Sequence, residues 1–457
     1  MKIIIVGDGK VGYSLAENLS KEKHDVIVID KNPEALRKAS DYLDVMCIRG
    51  NGVSAQTLIE AGVKHADILI AVTSSDEINM VCCLAGKKLG AAHTIARIRD
   101  PEYADELSIL RNELELDLVI NPEQAVAQEI AKLLKFPSAI DVELFAGGSV
   151  ELVEIIATPD MPIINMRIMD ISGRFSPDIL IGAVQRGNDV YIPNGSFEIK
   201  ENDALYILGK PASVYEFCRL MGKYNHKIKN IMVVGGGRIA YYLAKSLKHH
   251  DMKIKIIEED MERCLELSEK IPDALIIKGD GTDESLLNSE NLCNMDAFVA
   301  LTGHDEANLL AALLAKQCNV SKVIVKITRI NYPAIIKNMG IDSVVDPKVI
   351  TSNHIISYVR GLKNAEGNSV EHLYRIVGGQ VEAIEFTVRT NSRYLNIPLK
   401  KLALAAEALV AVIVRKNEVI IPHGDDVIKL GDRVIIIAKN KQITDFNEIV
   451  LSGGKIK

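Results

Sequence analysis

The chain carries one sequence pattern twice, and this repeat constrains its fold more than any other feature. Residues 1–12 read MKIIIVGDGKVG and residues 229–240 read KNIMVVGGGRIA, so a short apolar run twice leads into a Gly-x-Gly-x-x-Gly/Ala turn. One such turn is weak evidence, because glycine-rich corners between a strand and a helix are common. Two of them within a longer repeat indicate a duplicated module.

The repeat extends well beyond the two turns. Segment 66–79, ADILIAVTSSDEIN, aligns with segment 295–308, MDAFVALTGHDEAN, and six of the fourteen positions are identical. In the first segment these identical residues are Asp67, Ala71, Thr73, Asp76, Glu77 and Asn79. Segment 191–208 likewise aligns with segment 420–437. The chain therefore consists of two similar halves.

Each half reads as two domains of different class. Its first part alternates apolar runs with helix-like segments, as in IIIVG, DVIVID, VMCIRG, ILIAVT and TIARI. Strands separated by helix-length segments predict right-handed crossovers and a doubly wound parallel sheet. The second part contains short strands such as VELVEII and ALYILG, which predict a small α+β domain. We therefore predict an α/β chain with two Rossmann-like domains, residues 1–136 and 228–362, each followed by a small α+β domain, residues 139–223 and 369–455.

The two glycine turns have the spacing of a dinucleotide-binding fingerprint. In that motif the first glycine permits a tight turn, the second lets a phosphate approach the backbone, and the third lets the helix pack on the strand. The third position is Gly12 in the first half and Ala240 in the second. The candidate binding residues of the turns are Gly7, Asp8, Gly9, Lys10 and Val11, and then Gly235, Gly236, Gly237, Arg238 and Ile239. Backbone amides at the helix start would face the pyrophosphate, and the side chains of Lys10 and Arg238 either add charge there or only face solvent.

A carboxylate ends the second strand of each half. Asp30 closes DVIVID, 18 residues after Gly12, and Glu258 closes IKIIE at the matching place. A carboxylate here is placed to bind ribose hydroxyls and repels a 2′-phosphate, which predicts NAD(H) rather than NADP(H). Glu258 lies in an acidic run with Glu259 and Asp260, so it is either a ribose ligand or a solvated acid at a strand end.

Further candidate residues end the fourth and fifth strands. Thr73 and Ser74, and Thr302 in the second half, lie where the strand order is expected to reverse and open a crevice. Arg97 and Lys326 end the fifth strands, where a cation either reaches the phosphates or pairs with a surface acid. The pairs Asp76-Glu77 and Asp305-Glu306 follow in a first helical turn, where acids complement the helix dipole, so we assign them no catalytic role.

These features together resemble a known ligand-binding module. The fingerprint, the ribose carboxylate, the G-N/D-G turns at 50–52 and 279–281, the AVTSSDEIN segment and the trailing small domain are similar to the RCK (KTN) module. Two such modules in one chain resemble the cytoplasmic regulatory subunits of bacterial Trk potassium-uptake systems, the TrkA type. KIIIVGDGKVG, AVTSSDEINMV and IARIRDPEY carry the resemblance, which covers nearly the whole chain.

The resemblance implies a partner, an assembly and a set of ligands. It implies a homotetramer on the inner face of the cell membrane, bound to a membrane-embedded potassium-transporting subunit of the TrkH or TrkG kind. NAD(H), or an adenine nucleotide such as ATP or ADP, would shift the shape of the assembly and so the gate. The binding residues carried over by position are Gly7 to Val11, Asp30, Thr73, Ser74 and Arg97, and then Gly235 to Ile239, Glu258, Thr302 and Lys326. The second half departs from the first at Ala240, Gly303 and Lys326, so its pocket holds either a different nucleotide or none.

Composition excludes several other classes. A net charge of −7 argues against a nucleic-acid-binding surface. The longest apolar stretches, 402–414 and 309–315, are shorter than the roughly 20 residues of a spanning helix, and the start lacks a signal-peptide pattern, so we expect a cytoplasmic protein. Seven cysteines without a C-x-x-C pair predict reduced thiols rather than disulfides or zinc ligands, and we predict no metal site.

Three hypotheses of function follow from these residues. The first is a regulatory nucleotide sensor that performs no chemistry, and the second is an NAD-dependent oxidoreductase. The third is an interaction scaffold with relic fingerprints, which the intact Asp30 and both glycine turns oppose. An oxidoreductase needs an acid or base beside the nicotinamide. The only histidines of the small domains are His226 at the joint and His372 and His423, and the last two have no counterparts in the first copy. We therefore expect the sensor and assign no catalytic residue.

Overall fold

The apolar runs that precede the two glycine turns form central strands of two parallel sheets. The computed structural model describes residues 1–105, 111, 113–136, 139–175, 178–222, 227–329, 339–363, 370–389, 394–405, 407–439, 443 and 446–450. The chain divides into two compact units, Met1–Ala127 with Asp346–Ile356, and Gln128–Val345 with Ser357–Lys457.

The first unit contains a six-stranded parallel sheet in the order β3-β2-β1-β4-β5-β6. Its strands are Lys2–Val6 (β1), Asp25–Asp30 (β2), Met46–Arg49 (β3), Ile68–Ala71 (β4), His93–Arg97 (β5) and Leu118–Ile120 (β6). The run Ile3-Ile4-Ile5 is fully buried, as expected for a central strand covered by helices on both faces. The strand order reverses between β1 and β4, so a crevice for a ligand is expected at their carboxyl ends.

Helices connect the strands of this sheet. They are Lys10–Lys21 (α1), Pro33–Tyr42 (α2), Ala55–Glu60 (α3), Asp76–Leu89 (α4), Pro101–Asp105 (α5) and Pro122–Lys135 (α6), which ends in the second unit. Side chains cap several of them: Asn32 accepts from the N–H of Glu34, Ser75 from that of Ile78, Asp100 from that of Glu102 and Asn121 from that of Gln124. These bonds satisfy N–H groups that have no partner inside the helix.

The first small domain lies in the second unit and is a five-stranded antiparallel sheet in the order β10-β9-β11-β8-β7. Its strands are Asp141–Phe145 (β7), Val150–Ile156 (β8), Ile179–Arg186 (β9), Asp189–Tyr191 (β10) and Ala204–Gly209 (β11). Two helices accompany it, Ile168–Arg174 (α7) and Pro211–Leu220 (α8).

The second parallel sheet, also in the second unit, repeats the order of the first as β14-β13-β12-β15-β16-β17. Its strands are Asn230–Val234 (β12), Lys253–Glu258 (β13), Leu275–Lys278 (β14), Ala297–Ala300 (β15), Lys322–Lys326 (β16) and Ser343–Val345 (β17). Its helices are Arg238–Leu247 (α9), Met261–Lys270 (α10), Glu284–Ser289 (α11) and Asp305–Gln317 (α12).

The helix that follows this sheet, Pro347–Lys363 (α13), is shared between the units. Its residues up to Ile356 belong to the first unit, where the hydroxyl of Ser352 lies 3.1 Å from that of Ser14 on α1. The predicted domain boundaries stay predictions. The joints between the domains include residues 137–138, 223–226 and 364–369, which lie outside the described residues.

The second small domain repeats the antiparallel architecture in the order β18-β19-β22-β20-β21. Its strands are Val370–Ile376 (β18), Val381–Thr387 (β19), Ala408–Arg415 (β20), Glu418–Ile420 (β21) and Arg433–Lys439 (β22). The predicted fold class is therefore confirmed: two Rossmann-like parallel sheets, each followed along the chain by a smaller antiparallel one.

The two small sheets share one hydrophobic core. Phe145 and Leu208 of the first sheet belong to the same buried cluster as Ile376, Ala411 and Ile437 of the second. Because these side chains bury one another, neither sheet covers its apolar face alone.

An arginine pairs with a buried aspartate at matching places in the two small domains. The guanidinium of Arg186 donates to Asp203 at 2.8 Å, and Arg415 pairs with Asp432 at 2.7 Å. Both aspartates are almost completely buried. The repeat seen in the sequence thus extends to matching contacts inside the small domains.

The prediction that all cysteines are free thiols is wrong for one pair. Cys293 and Cys318 form a disulfide in the second parallel domain. The two residues are 25 positions apart, without a motif spacing, and they meet because α12 ends beside the turn Leu292–Asn294.

Among the described residues, no helix combines the length and the apolar character that crossing a membrane requires. The described part of the chain likewise holds no group of three or more histidine, cysteine, aspartate and glutamate side chains arranged to bind a metal ion.

Candidate functional site

Three glycines give the first turn its shape. Gly7 follows β1 with a φ of +101°, and a Cβ atom there would lie 2.9 Å from the backbone nitrogen of Thr73. A Cβ at Gly12 would lie 1.8 Å from the carbonyl oxygen of Gly7, whereas a Cβ at Gly9 would meet nothing within 4 Å. The turn is therefore closed at its first and third glycines and open at its second, where the fingerprint expects a phosphate.

The open side of the turn is also the start of α1. Gly9 is the N-cap residue and has no side chain to occupy the first amides of the helix. Val11 is buried, so its backbone rather than its side chain faces the turn, while Lys10 is exposed. A helix start of this kind binds anions through its amides and its dipole.

The second turn repeats this geometry. Gly235 has a φ of +99°, a Cβ at Gly237 would meet nothing within 4 Å, and α9 begins at Arg238. Ala240 takes the place of Gly12 and is buried. Ile239 is buried like Val11, and Arg238 is exposed like Lys10.

The carboxylate of Asp30 lies at the mouth of the first turn. Its Oδ2 accepts from the N–H of Asp8 at 2.6 Å, and its Oδ1 accepts from the N–H of Asn32 at 2.8 Å. The structure thus brings together the turn and the acid that the sequence predicted to act together. Their role in binding a nucleotide stays a prediction.

Glu258 occupies the same place in the second half. Its Oε2 accepts from the N–H of Gly236 at 2.5 Å, and its Oε1 accepts from the N–H of Asp260 at 2.9 Å. The carboxylate therefore adjoins the turn, as Asp30 does, although it belongs to an acidic run.

Residues at the ends of β4 and β5 were also predicted to line the first crevice, and this role stays a prediction. Thr73 and Arg97 are half-buried and Ser74 is exposed. The carbonyl of Ser74 accepts a hydrogen bond from the guanidinium of Arg99. In the second half Thr302 is half-buried, and the ammonium of Lys326 donates to the carbonyl of Leu301 at 2.8 Å.

Two buried asparagines hold these strand ends, and sequence reasoning assigned them no function. The Asn79 Oδ1 accepts from the Thr73 N–H at 2.8 Å and from its hydroxyl at 2.7 Å, while the Nδ2 donates to the Arg97 carbonyl at 2.8 Å. Asn308 makes the same bonds to Thr302 and Lys326. The identity of these asparagines in the two repeats was the signal available in the sequence.

The first acids of α4 and α12 have a structural role beyond complementing the helix dipole. Asp76 is buried, and its Oδ2 accepts from the N–H groups of Arg99 and Asp100, each at 2.8 Å. Asp305 accepts in the same way from Thr328 at 2.9 Å and from Arg329 at 2.5 Å. Each acid thus ties the helix to the segment that follows the fifth strand.

The described histidines considered for the oxidoreductase hypothesis contact other residues of the small domains or solvent. The imidazole of His372 lies 2.7 Å from the carboxylate of Glu143 and packs edge-on against Phe145 within the small domains. His423 is exposed, and His226 lies outside the described residues. The described histidines of the small domains therefore have structural or surface positions.

Two known domain families each match the chain at two places. The TrkA-N domain matches residues 3–122 and 231–347, and the TrkA-C domain matches residues 152–222 and 383–451. The Trk system potassium uptake protein TrkA homolog 2 of Methanosarcina mazei is 38% identical over 457 residues, which cover 98% of this chain and 100% of the relative. The TrkA homolog of Archaeoglobus fulgidus is 35% identical over 98% of this chain and 100% of its own length.

Solved structures share the fold. The GsuK RCK domain superposes with a TM-score of 0.62 at 17% identity, covering 98% of this chain and 94% of that one. The GsuK channel bound to NAD superposes with a TM-score of 0.62 at 16% identity, covering 98% of this chain and 78% of that one. At such identities the likeness concerns the fold.

Proposed function

The chain belongs to the TrkA family of potassium uptake proteins, and we propose that it is a nucleotide-sensing regulatory subunit that binds NAD(H) and gates a membrane potassium transporter. The observation that carries this proposal is the repeated contact between a glycine turn and a carboxylate. In each half the acid that ends the second strand accepts a hydrogen bond from the backbone of the turn.

The geometry of each turn supports a dinucleotide as the ligand. A pyrophosphate fits the open position at Gly9 or Gly237, where the amides that begin α1 or α9 point. Ribose hydroxyls then reach Asp30 or Glu258, and these carboxylates disfavour the 2′-phosphate of NADP(H). The NAD-bound GsuK channel, which has the same fold, is consistent with this ligand.

The two crevices differ in sequence, so the second need not bind the same ligand as the first. Ala240, Gly303 and Lys326 stand in the second half where the first has Gly12, Ser74 and Arg97. We propose NAD(H) for the first crevice, and NAD(H) or an adenine nucleotide, ATP or ADP, for the second.

The partner is a membrane-embedded potassium-transporting subunit of the TrkH or TrkG kind. The names of the relatives place them in Trk potassium uptake systems. We propose that the chain acts as a homotetramer on the cytoplasmic face of the membrane and that it converts no substrate. Nucleotide biases the gate through its different affinity for two shapes of the assembly, a coupling that is typically about 1 to 3 kcal/mol per site.

Thermal unfolding of the full chain with NAD+, NADH, ATP and ADP tests the binding step. A ligand present at 100 times its dissociation constant stabilises the folded protein by about 2.7 kcal/mol. We expect Asp30→Ala to remove the stabilisation that arises in the first crevice and Glu258→Ala to remove that of the second. Asp25→Ala is the matched control, because Asp25 is an exposed acid at the opposite end of β2.

Two results would contradict the binding step. One is a melting temperature that no nucleotide changes, and the other is a shift that survives in the double variant of Asp30 and Glu258. For the gating step, potassium flux is measured in vesicles that contain the membrane subunit and this chain. Flux should depend on nucleotide with the wild type and not with the double variant.

A further inference from the structure

The middle residue of the glycine turn differs between the two crevices. It is Asp8 in the first half and Gly236 in the second. Asp8 is 7% exposed, and neither of its carboxyl oxygens has a hydrogen-bond partner among the described residues. A buried acceptor without a partner is costly and needs an explanation.

The surroundings of Asp8 disfavour its negative charge. Burial and the neighbouring carboxylate of Asp30 raise the pKa of Asp8 to about 6, and the ammonium of Lys38 on α2 opposes this rise only in part. Tyr13 on α1 and Cys47 on β3 are the other titratable groups that the charge of Asp8 affects. Asp30 differs from Asp8 in that its carboxylate accepts from two backbone N–H groups.

In the second crevice a side chain at the middle position would collide with its neighbours unless they shifted. A Cβ at Gly236 would lie 2.6 Å from the Cδ1 of Leu267 and 3.0 Å from the Oε2 of Glu258. The first half has the small residue Ala39 where the second has Leu267. The acid and the smaller neighbour thus occur together in the first crevice, and both are missing from the second.

We propose that Asp8 couples nucleotide binding in the first crevice to proton uptake, so that this crevice senses pH while the second does not. The inference rests on the proposed function and specifies how the first site is regulated. The pyrophosphate of a dinucleotide brings negative charge to the Gly9 end of the same turn. Because like charges disfavour one another's ionisation, the bound nucleotide raises the pKa of Asp8, and a proton passes from solvent to its carboxylate.

The direction of the pH dependence follows from this rise. A group whose pKa is higher in the complex favours binding below its free pKa, here about 6, and this advantage is lost as the pH rises. A rise of one pKa unit corresponds to a tenfold difference in affinity between the two protonation states. Between pH 6 and pH 8 the affinity should then fall roughly fivefold, because Asp8 is only half-protonated at pH 6 before binding.

The experiment is isothermal titration calorimetry of the full chain with NAD+. The chain carries Glu258→Ala, so that NAD+ binding in the second crevice does not contribute. NAD+ is the probe because its diphosphate has no proton that titrates near pH 6, unlike a terminal phosphate, whose second pKa is about 6. Titrations at pH 6 and pH 8 in two buffers with different heats of ionisation give the affinity and the number of protons taken up.

Two further variants isolate the carboxyl. Asp8→Asn keeps the shape of a protonated aspartate, and Asp8→Gly copies the residue that the second turn already contains. With Asp8 present we expect affinity to be about fivefold higher at pH 6, with net proton uptake. With Asn or Gly we expect neither effect, and the Asn variant should bind up to tenfold more tightly than its parent at pH 8.

The outcomes separate this inference from the proposed function. NAD+ binding with the same pH dependence in the parent and in both variants would overturn the inference alone. An affinity that rises with pH in the parent would overturn it as well. Failure of NAD+ to bind at either pH, with wild-type Glu258 restored, would overturn the proposed function and this inference together.

Discussion

The side chain of Asn79 joins the ends of two neighbouring strands at the first crevice. Its amide oxygen accepts hydrogen bonds from the backbone N–H and the hydroxyl of Thr73, and its amide nitrogen donates one to the carbonyl of Arg97. Asn79 is completely buried, so water cannot replace these bonds once they are lost. The geometry of the crevice thus depends on a residue that need not touch a ligand.

We expect Asn79→Ala to lower the free energy of unfolding by about 1 to 3 kcal/mol, because it leaves buried backbone groups without partners. It should also weaken NAD+ binding in the first crevice, since Thr73 and Arg97 lose their fixed positions. Urea unfolding and calorimetry measure the two effects. Asn308→Ala makes the same change in the second half and should leave NAD+ binding in the first crevice intact. If both variants lowered the NAD+ affinity of the first crevice equally, the effect of Asn79 would not be local.

Asp8 should also affect the stability of the protein without ligand. Its pKa is raised from the usual 3.8 to about 6 in the folded state. Its contribution to stability is therefore complete below pH 3.8 and is lost as the pH rises through 6. At pH 8 we expect Asp8→Asn to be more stable than wild type by about 1 to 3 kcal/mol, with a smaller difference at pH 5. Denaturant unfolding at the two pH values measures this, and an Asn variant less stable at pH 8 would contradict it.

Individual residues of the site were predictable to different degrees. Asp30 and Glu258 could be placed beside the glycine turns, because strand ends and motif spacing fix their positions. Asn79 was found to be identical in the two repeats but was assigned no role, because a buried asparagine on a helix has no spacing signature that shows its partners. That the Asp8 carboxyl has no hydrogen-bond partner among the described residues could not be predicted, since burial and hydrogen bonding depend on the packing of α1, α2 and β3.

Helix α6 places the ammonium of a lysine between two largely buried carboxylates. Lys132 on this helix donates to Glu129 at 3.0 Å and to Glu143 of β7 at 3.1 Å. Burial raises the pKa of Glu129 to about 8 despite the lysine. The ammonium therefore offsets part of the cost of burying these two carboxylates.

We expect Lys132→Met to destabilise the protein by about 2 to 4 kcal/mol, because it leaves buried carboxylates without their cation. The loss should be larger at pH 9 than at pH 6, since more of the carboxylate charge is present at the higher pH. Thermal unfolding at both pH values measures this. Lys135→Met, an exposed position on the same helix, is the control and should change stability by less than about 0.5 kcal/mol. A loss that does not vary with pH would contradict the electrostatic explanation.

The type and order of the elements were largely predictable, whereas their partners were not. Apolar runs separated by helical segments indicated both parallel sheets, because strands covered on both faces have continuous apolar sequences. Helix α13 could be expected after the second sheet, yet its first residues belong to the first unit. An apolar helix face shows that a helix is buried but does not show against which sheet.

At the scale of the whole molecule, the two small sheets depend on each other because they share a core. We expect Phe145→Ala in the first sheet to cost about 3 to 5 kcal/mol. It should also speed amide hydrogen exchange in β22 of the second sheet, since Phe145 and Ile437 belong to one buried cluster. Hydrogen-exchange mass spectrometry measures this effect. Leu15→Ala in α1 removes a fully buried side chain of the first unit and is the control; equal exchange in β22 of both variants would contradict the shared core.

The shared core also bears on how such a chain arose. A single half would leave an apolar sheet face uncovered in water, so an ancestral gene of half the length would have encoded a protein that paired with its own copy. Fusion of two genes would turn that encounter between molecules into a permanent contact within one. With the pairing secured, the two crevices would be free to diverge, and the difference between Asp8 and Gly236 is one such divergence.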